Sequence, residues 1–163
     1  VPEGEIMENP LVSSVTHDAS TVIIELQPVP AGPDFMATLF AKLAARGVSV
    51  DIITQNQLEK GQQRLAFSVT QEDLPLTEQV LKEALAGQGI QKKVTDKMAK
   101  ISVVGVGMRN HPGVAARFFK VLSEQQIPVH LVTTSEIKIS AVIDQQHLSA
   151  AAEKLHTEFS LDG

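Results

Sequence analysis

Residues 33–54 read PDFMATLFAKLAARGVSVDIIT, and residues 112–133 read PGVAARFFKVLSEQQIPVHLVT. At a shift of 79 the two stretches share, without a gap, Pro33 and Pro112, Ala37 and Ala116, Phe40 and Phe119, Leu43 and Leu122, Val50 and Val129, and Thr54 and Thr133. Each begins as a helix. Phe35, Leu39 and Leu43 stand at i, i+4 and i+8, as do Val114, Phe118 and Leu122, so each stretch presents one apolar stripe. Asp34 reads as the N-cap of a helix over Phe35–Arg46, and Gly47 as the residue that ends it in the left-handed region. Pro112 suits the first position of a helix that runs to about Gln126. Val48–Thr54 and Ile127–Thr133 follow as strands rich in β-branched residues. A duplicated helix–strand unit predicts two similar modules.

Outward from these stretches the patterns stay matched. Thr21–Gln27 reads as a strand, with turn chemistry in Pro28–Pro33. Glu59-Lys60-Gly61 marks a hairpin tip, Arg64–Thr70 a third strand and Leu76–Ala86 a second helix. Gly87 and Gly89 end that helix, and Ile90–Val94 follows as a fourth strand. In the second half Lys100–Val106, Ile137–Ile143 and Gln146–Phe159 repeat the strand, strand and helix, with about five fewer residues at the hairpin than around Leu58–Gln62. The order is βαββαβ twice. Right-handed crossovers then give an α+β fold of two ferredoxin-like modules, antiparallel sheets with helices on one face. The second half ends at Leu161-Asp-Gly163 without a fourth strand, while Leu11–Thr16 is a spare strand at the other end. The first module is therefore expected to be inserted into the second. The expected bounds are 18–96 for the first module and 97–163 for the second, with 10–17 supplying its last strand. The alternative makes Leu11–Thr16 a linker or part of another domain.

Composition narrows the function. The 163 residues are 43% hydrophobic, with six Phe and no Trp or Tyr, so the core is built from Val, Ile, Leu and Ala. The net charge is −5, and Lys and Arg form no basic stripe, which argues against nucleic-acid binding. No apolar run is long enough to span a bilayer and no signal peptide is visible. With no Cys there is no disulfide or thiolate chemistry, and the expected location is the cytoplasm. The chain begins at Val1 rather than Met, which suits a piece of a longer polypeptide.

The motifs of the second repeat, Val103-Val-Gly-Val-Gly-Met-Arg-Asn-His-Pro-Gly-Val-Ala-Ala116 and Val132-Thr-Thr-Ser-Glu-Ile-Lys-Ile-Ser140, resemble the C-terminal part of aspartate kinase, a region of tandem ACT domains. Val50-Asp-Ile-Ile-Thr-Gln-Asn56 and the entering segment Glu5–Asp18 are similar to the same region. The resemblance implies an allosteric regulatory region that binds end-product amino acids, lysine and/or threonine. It implies a homodimer through the ACT modules and a partner in the kinase catalytic domain or α subunit. ATP and magnesium would belong to that catalytic part, and this chain would hold no cofactor and carry no catalysis. Residues 1–9 would then be the linker from the catalytic domain.

An amino-acid ligand presents a carboxylate, suited to the free N–H groups of a helix N-terminus, and an ammonium, suited to carboxylate or carbonyl oxygens. The turn Arg109–Gly113 opens a helix, and Gly113 lets a ligand approach the backbone. Thr134, Ser135 and Glu136 offer hydroxyls and a carboxylate at the end of the next strand. With the resemblance, the second-module effector set is Met108, Asn110, His111, Pro112, Gly113, Val114, Ala115, Val129, His130, Thr134, Ser135 and Glu136. In the first module it is Asp34, Asp51, Gln55 and Asn56, where Asp51 can accept an ammonium or stand as a solvated residue on an alternating strand. The family's first-module loop usually reads Asp-x-Pro-Gly, whereas this chain has Ala31-Gly-Pro-Asp34, a departure that bears on effector affinity or identity at this loop and leaves two roles open for Asp34, effector contact or N-cap alone.

Other chemistries lack their residues. The histidines at 17, 111, 130, 147 and 156 show no metal spacing, and Gly105-x-Gly107 is followed by Asn110 where a dinucleotide loop needs Gly. No serine sits in a nucleophile elbow with a recognisable base. Two competing readings remain: a free-standing ACT pair sensing another amino acid for another enzyme, and an enzyme on a ferredoxin-like fold. The second lacks a nucleophile, base and orienter.

Overall fold

The computed structural model describes residues 12–106 and 111–160. The chain divides into two compact units, Ser20–Lys97 and Val1–Ala19 with Met98–Gly163. The first is inserted in the second. Two strands serve both units: β1, Val12–Pro30, and β4, Gln91–Gly105.

The inserted module contains the second part of β1, helix α1 (Pro33–Ala45), β2 (Ile53–Gln57), β3 (Gln62–Thr70), helix α2 (Leu74–Ala84) and the first part of β4. Its strands lie in the order β2-β3-β1-β4. β1 and β3 run antiparallel, with Ile24 opposite Phe67 and Leu26 opposite Leu65. Alternation turns Val22, Ile24, Leu26, Leu65, Phe67 and Val69 to the helices, where they pack with Leu39 and Leu43 of α1 and Val80 and Leu81 of α2. Phe40 meets Phe67 edge to face at 5.6 Å. The opposite face buries Ile23, Ala66 and Ser68.

The enclosing module contains the second part of β4, helix α3 (Gly113–Glu124), β5 (Leu131–Thr134), β6 (Lys138–Asp144), helix α4 (Leu148–Glu158) and the N-terminal part of β1. Its order is β1-β4-β6-β5, the same topology with the last strand taken from the other end of the chain. Ser13 Oγ donates to the Val104 carbonyl at 3.2 Å. Ala99, Ile101, Val103, Ile139, Ala141 and Ile143 face Phe118 and Leu122 of α3 and Ala151 and Leu155 of α4. On the helix-free face Ser102 and Ser140 are buried opposite each other and share a hydrogen bond of 2.6 Å.

The helix ends explain several boundaries. α1 begins at Pro33 with Gly32 as N-cap, so Asp34 lies in the first turn and makes no cap hydrogen bond. This corrects the expected cap at Asp34: proline's fixed φ starts the helix one residue earlier, and the carboxylate acts on the helix dipole instead. At the other end Gly47 has φ +79, its N–H reaches the Ala44 carbonyl and Val48 N–H reaches that of Leu43. That is a Schellman closure. α3 ends the same way through Gln126, at φ +54, and Ile127.

The expected strands Val48–Thr54 and Ile127–Thr133 begin their ladders late, at Ile53 and Leu131. A β-bulge is the cause. Asp51 N–H donates to the Ser68 carbonyl at 3.1 Å, and Ile52 N–H donates to the Ser68 hydroxyl at 3.0 Å. Two residues thus oppose one, which shifts the phase of alternation. His130 N–H makes the corresponding bond to Val142, the partner of Leu131, at 2.8 Å. Relative to the shift of 79 on β2, Ser68 and Val142 are 74 apart, which locates the five extra residues in the first hairpin.

Candidate functional site

In the enclosing module the exit of β4 and the β5–β6 turn meet at one end of the sheet, the end at which the chain leaves β4 towards α3. Gly105 N–H donates to the Ile137 carbonyl at 2.7 Å, which ties the exit of β4 to that turn. Ser135 N–H donates to the Lys138 carbonyl at 2.8 Å, and the Ser135 hydroxyl accepts from Ile137 N–H at 3.3 Å. Thr134, Ser135 and Glu136 are exposed there. The start of α3 has Pro112 as N-cap with no side-chain cap bond, so its N–H groups are not taken by a capping side chain. Pro112 and Gly113 are exposed and His111 and Ala115 half-buried. A Cβ placed on Gly113 would meet nothing within 4 Å, so this stretch of backbone faces open space. Val114 is only 4% exposed and its N–H bonds to His111 at 3.1 Å. Its side chain belongs to the core, so apolar periodicity outweighs its place in the loop motif. Met108 and Asn110 lie outside the described residues.

Val129 and His130 stand at the opposite end of β5. Four strand residues at about 3.3 Å each put His130 about 13 Å from Thr134. His130 Nε2 lies 3.3 Å from Asp144 Oδ1, a partner on β6 that no sequence motif flagged. The ten described residues of the expected set therefore do not gather at one place: Val129 and His130 lie at the other end of β5 from Thr134, Ser135 and Glu136.

The inserted module divides the same way. Gln55 lies opposite Leu65 and Asn56 opposite Arg64, near the β2–β3 hairpin, at the end where β1 leads into α1. Gln55 Nε2 donates to the side-chain carbonyl of Gln63, a residue that hairpin register alone would identify. Leu65 faces the helices, so Gln55 shares the side on which α1 begins at Gly32–Asp34. Asp51 is exposed in the bulge that precedes β2, at the far end from Gln55. Asp51 and Gln55 are again about 13 Å apart, more than one small amino acid spans.

Among the described residues no group of His, Cys, Asp and Glu could hold a metal ion. No helix among them is long and apolar enough to cross a membrane.

Comparison with known proteins gives a consistent picture. An ACT domain family model matches residues 101–159. The aspartokinase of Pseudomonas aeruginosa is 35% identical over 98% of this chain, which spans 39% of that relative's length. The regulatory subunit of aspartate kinase from Thermus thermophilus, solved ligand-free, superposes with a TM-score of 0.85 at 31% identity, covering 91% of this chain and 99% of that one. A structure of aspartokinase α and β subunits matches with a TM-score of 0.82 at 33% identity, over 91% of this chain and 99% of the other. Escherichia coli aspartokinase III in complex with lysine and aspartate shares the fold at a TM-score of 0.71 and 19% identity, over 92% of this chain and 33% of that one. The chain belongs to the aspartate kinase family, and the part of that family it matches is the regulatory ACT region.

Proposed function

We propose that the chain senses end-product amino acids, lysine and/or threonine, and sets the activity of an aspartate kinase catalytic domain or α subunit. The observation that carries this reading is the placement, at one end of each module, of a helix start free of side-chain caps and of polar residues at a strand end: Gly32–Asp34 and Gln55 in one, Pro112–Gly113 with Ser135 and Glu136 in the other. The helix start suits the ligand carboxylate and the strand end its polar groups. The lysine-bound aspartokinase III supports the ligand class, and the solved α and β subunits support the partner. Ile53, 48% exposed on edge strand β2, and Val132, 40% exposed on edge strand β5, offer open edges to a second copy, which supports a homodimer. ATP and magnesium are assigned to the catalytic part, and the compartment to the cytoplasm. Ligand would favour one arrangement of the assembly over another and couple to the kinase by about 1–3 kcal/mol.

Calorimetric titration with lysine, threonine and methionine, singly and in pairs, tests the reading. Heat with lysine or threonine is expected, and no heat with any of them would overturn it. Gln55→Ala is expected to weaken binding at the first module by about tenfold, the effect of one lost polar contact. Gly113→Val, whose side chain has room, is expected to obstruct the second module without unfolding it. If Asp51→Ala weakens binding and Gln55→Ala does not, the ligand lies at the other end of β2.

A further inference from the structure

The helix-free face of the inserted module carries a polar cleft of about 390 Å³, lined by Glu25, Gln27, Arg64, Gln91, Lys92 and Lys93. Register places these side chains. Glu25 lies opposite Ala66, between the helix-facing pairs Ile24–Phe67 and Leu26–Leu65, so it points away from the helices. Arg64 Nε donates to Gln27 Oε1 at 2.9 Å, which orients the guanidinium on the same face. Lys92 Nζ lies 3.6 Å from Glu78 of α2, on the helix side, so alternation turns its neighbours Gln91 and Lys93 into the cleft. Lys92 also lines the cleft but is paired with Glu78, so the cationic side chains left for a ligand are Arg64 and Lys93, beside one carboxylate, Glu25. In the enclosing module the pair matching Glu25 and Ala66 is Ser102 and Ser140, buried and bonded to each other.

We propose that this cleft binds an acidic amino acid, with its two carboxylates on Arg64 and Lys93 and its ammonium on Glu25. Ligand charge mirrors that of the cleft, two negative groups and one positive against two positive and one negative. Arg64 supplies a planar fork matched to a carboxylate and held by Gln27. The cleft lies on the face of the sheet away from Gln55 but on that of Asn56, opposite Arg64, so the proposal does not rest on the lysine and threonine reading and the response of an Arg64 variant to those ligands distinguishes the two.

The test is titration of the chain with L-glutamate and L-aspartate, followed by NMR chemical shifts at fixed ionic strength, with succinate and inorganic phosphate as comparison probes. Saturable binding of one acidic amino acid is expected, with shifts centred on residues 25–27, 64 and 91–93. Succinate, which lacks the ammonium, is expected to bind about tenfold more weakly. Glu25→Gln should remove that difference. Arg64→Ala should weaken binding by about tenfold or more, with Arg64→Lys restoring part of it. Arg64 is exposed, and unchanged thermal unfolding of these variants confirms an intact fold. No saturable binding, succinate or phosphate binding as well as glutamate, or an unaffected Arg64→Ala variant would each overturn the proposal. So would loss of the lysine or threonine response in Arg64→Ala, because the cleft would then be part of the other site.

Discussion

The two modules follow one template with different residues at matched positions. Leu39 of α1 and Phe67 of β3 correspond to Phe118 of α3 and Ala141 of β6. The bulky ring moves from strand to helix, and both cores close. The Schellman turn uses Gly47 in one module and Gln126 in the other. The bulge carries a hydroxyl at Ser68 and an apolar side chain at Val142. The helix-free face is charged in the inserted module and closed by a serine pair in the enclosing one. Backbone hydrogen bonding is therefore held more tightly than side-chain identity, and the modules are free to differ in what they bind.

Changes in the two cores should have the largest effects. Phe118→Ala is expected to destabilise the chain by about 3–5 kcal/mol and Leu39→Ala by about 2–5 kcal/mol, since each empties a fully packed site. Urea unfolding followed by circular dichroism measures both, and a small effect at either position would mean the two helices are not equivalent. Ala141→Phe alone should cost about 1–3 kcal/mol by overpacking. Adding Phe118→Leu, which rebuilds the pair found in the inserted module, should recover most of it. Failure to recover would show that the ring cannot change sides in this core. Ser68→Ala, which leaves the Ile52 N–H without its hydroxyl acceptor, is expected to cost about 1–3 kcal/mol by the same measurement. Smallest is Gln126→Gly. It removes a left-handed non-glycine residue and should raise stability by roughly 0.5–1 kcal/mol, while Gly47→Gln lowers it by a similar amount. Equal melting temperatures for these two variants and the parent chain would sink the shared-cap interpretation.

Much of the fold is legible in the sequence. The shift of 79, the extra hairpin residues at Leu58–Gln62 and the missing final strand together specify two βαββαβ modules, one inserted in the other. Gly47 reads correctly as a helix end, because only a residue tolerant of positive φ closes that turn. Gln126, in the same conformation, carries no such signal. The site is less legible. Ser135 and Glu136 lie at one end of β5, Val129 and His130 at the other, and Val114 is core. Sequence proximity along a strand converts to about 3.3 Å per residue, so a four-residue spacing that looks compact separates two ends of a module.

The sequence by itself determined the element types, the duplication and the borrowing of a strand, because periodicity and turn chemistry are local and a βαββαβ count is arithmetic. Only tertiary structure decided that β1 and β4 run unbroken through positions that read as breaks, that Asp51 and Ile52 form a bulge, and that Glu25, Arg64 and Lys93 share a face. Those outcomes depend on hydrogen-bond register between strands far apart in the chain, and register is set by the assembled sheet.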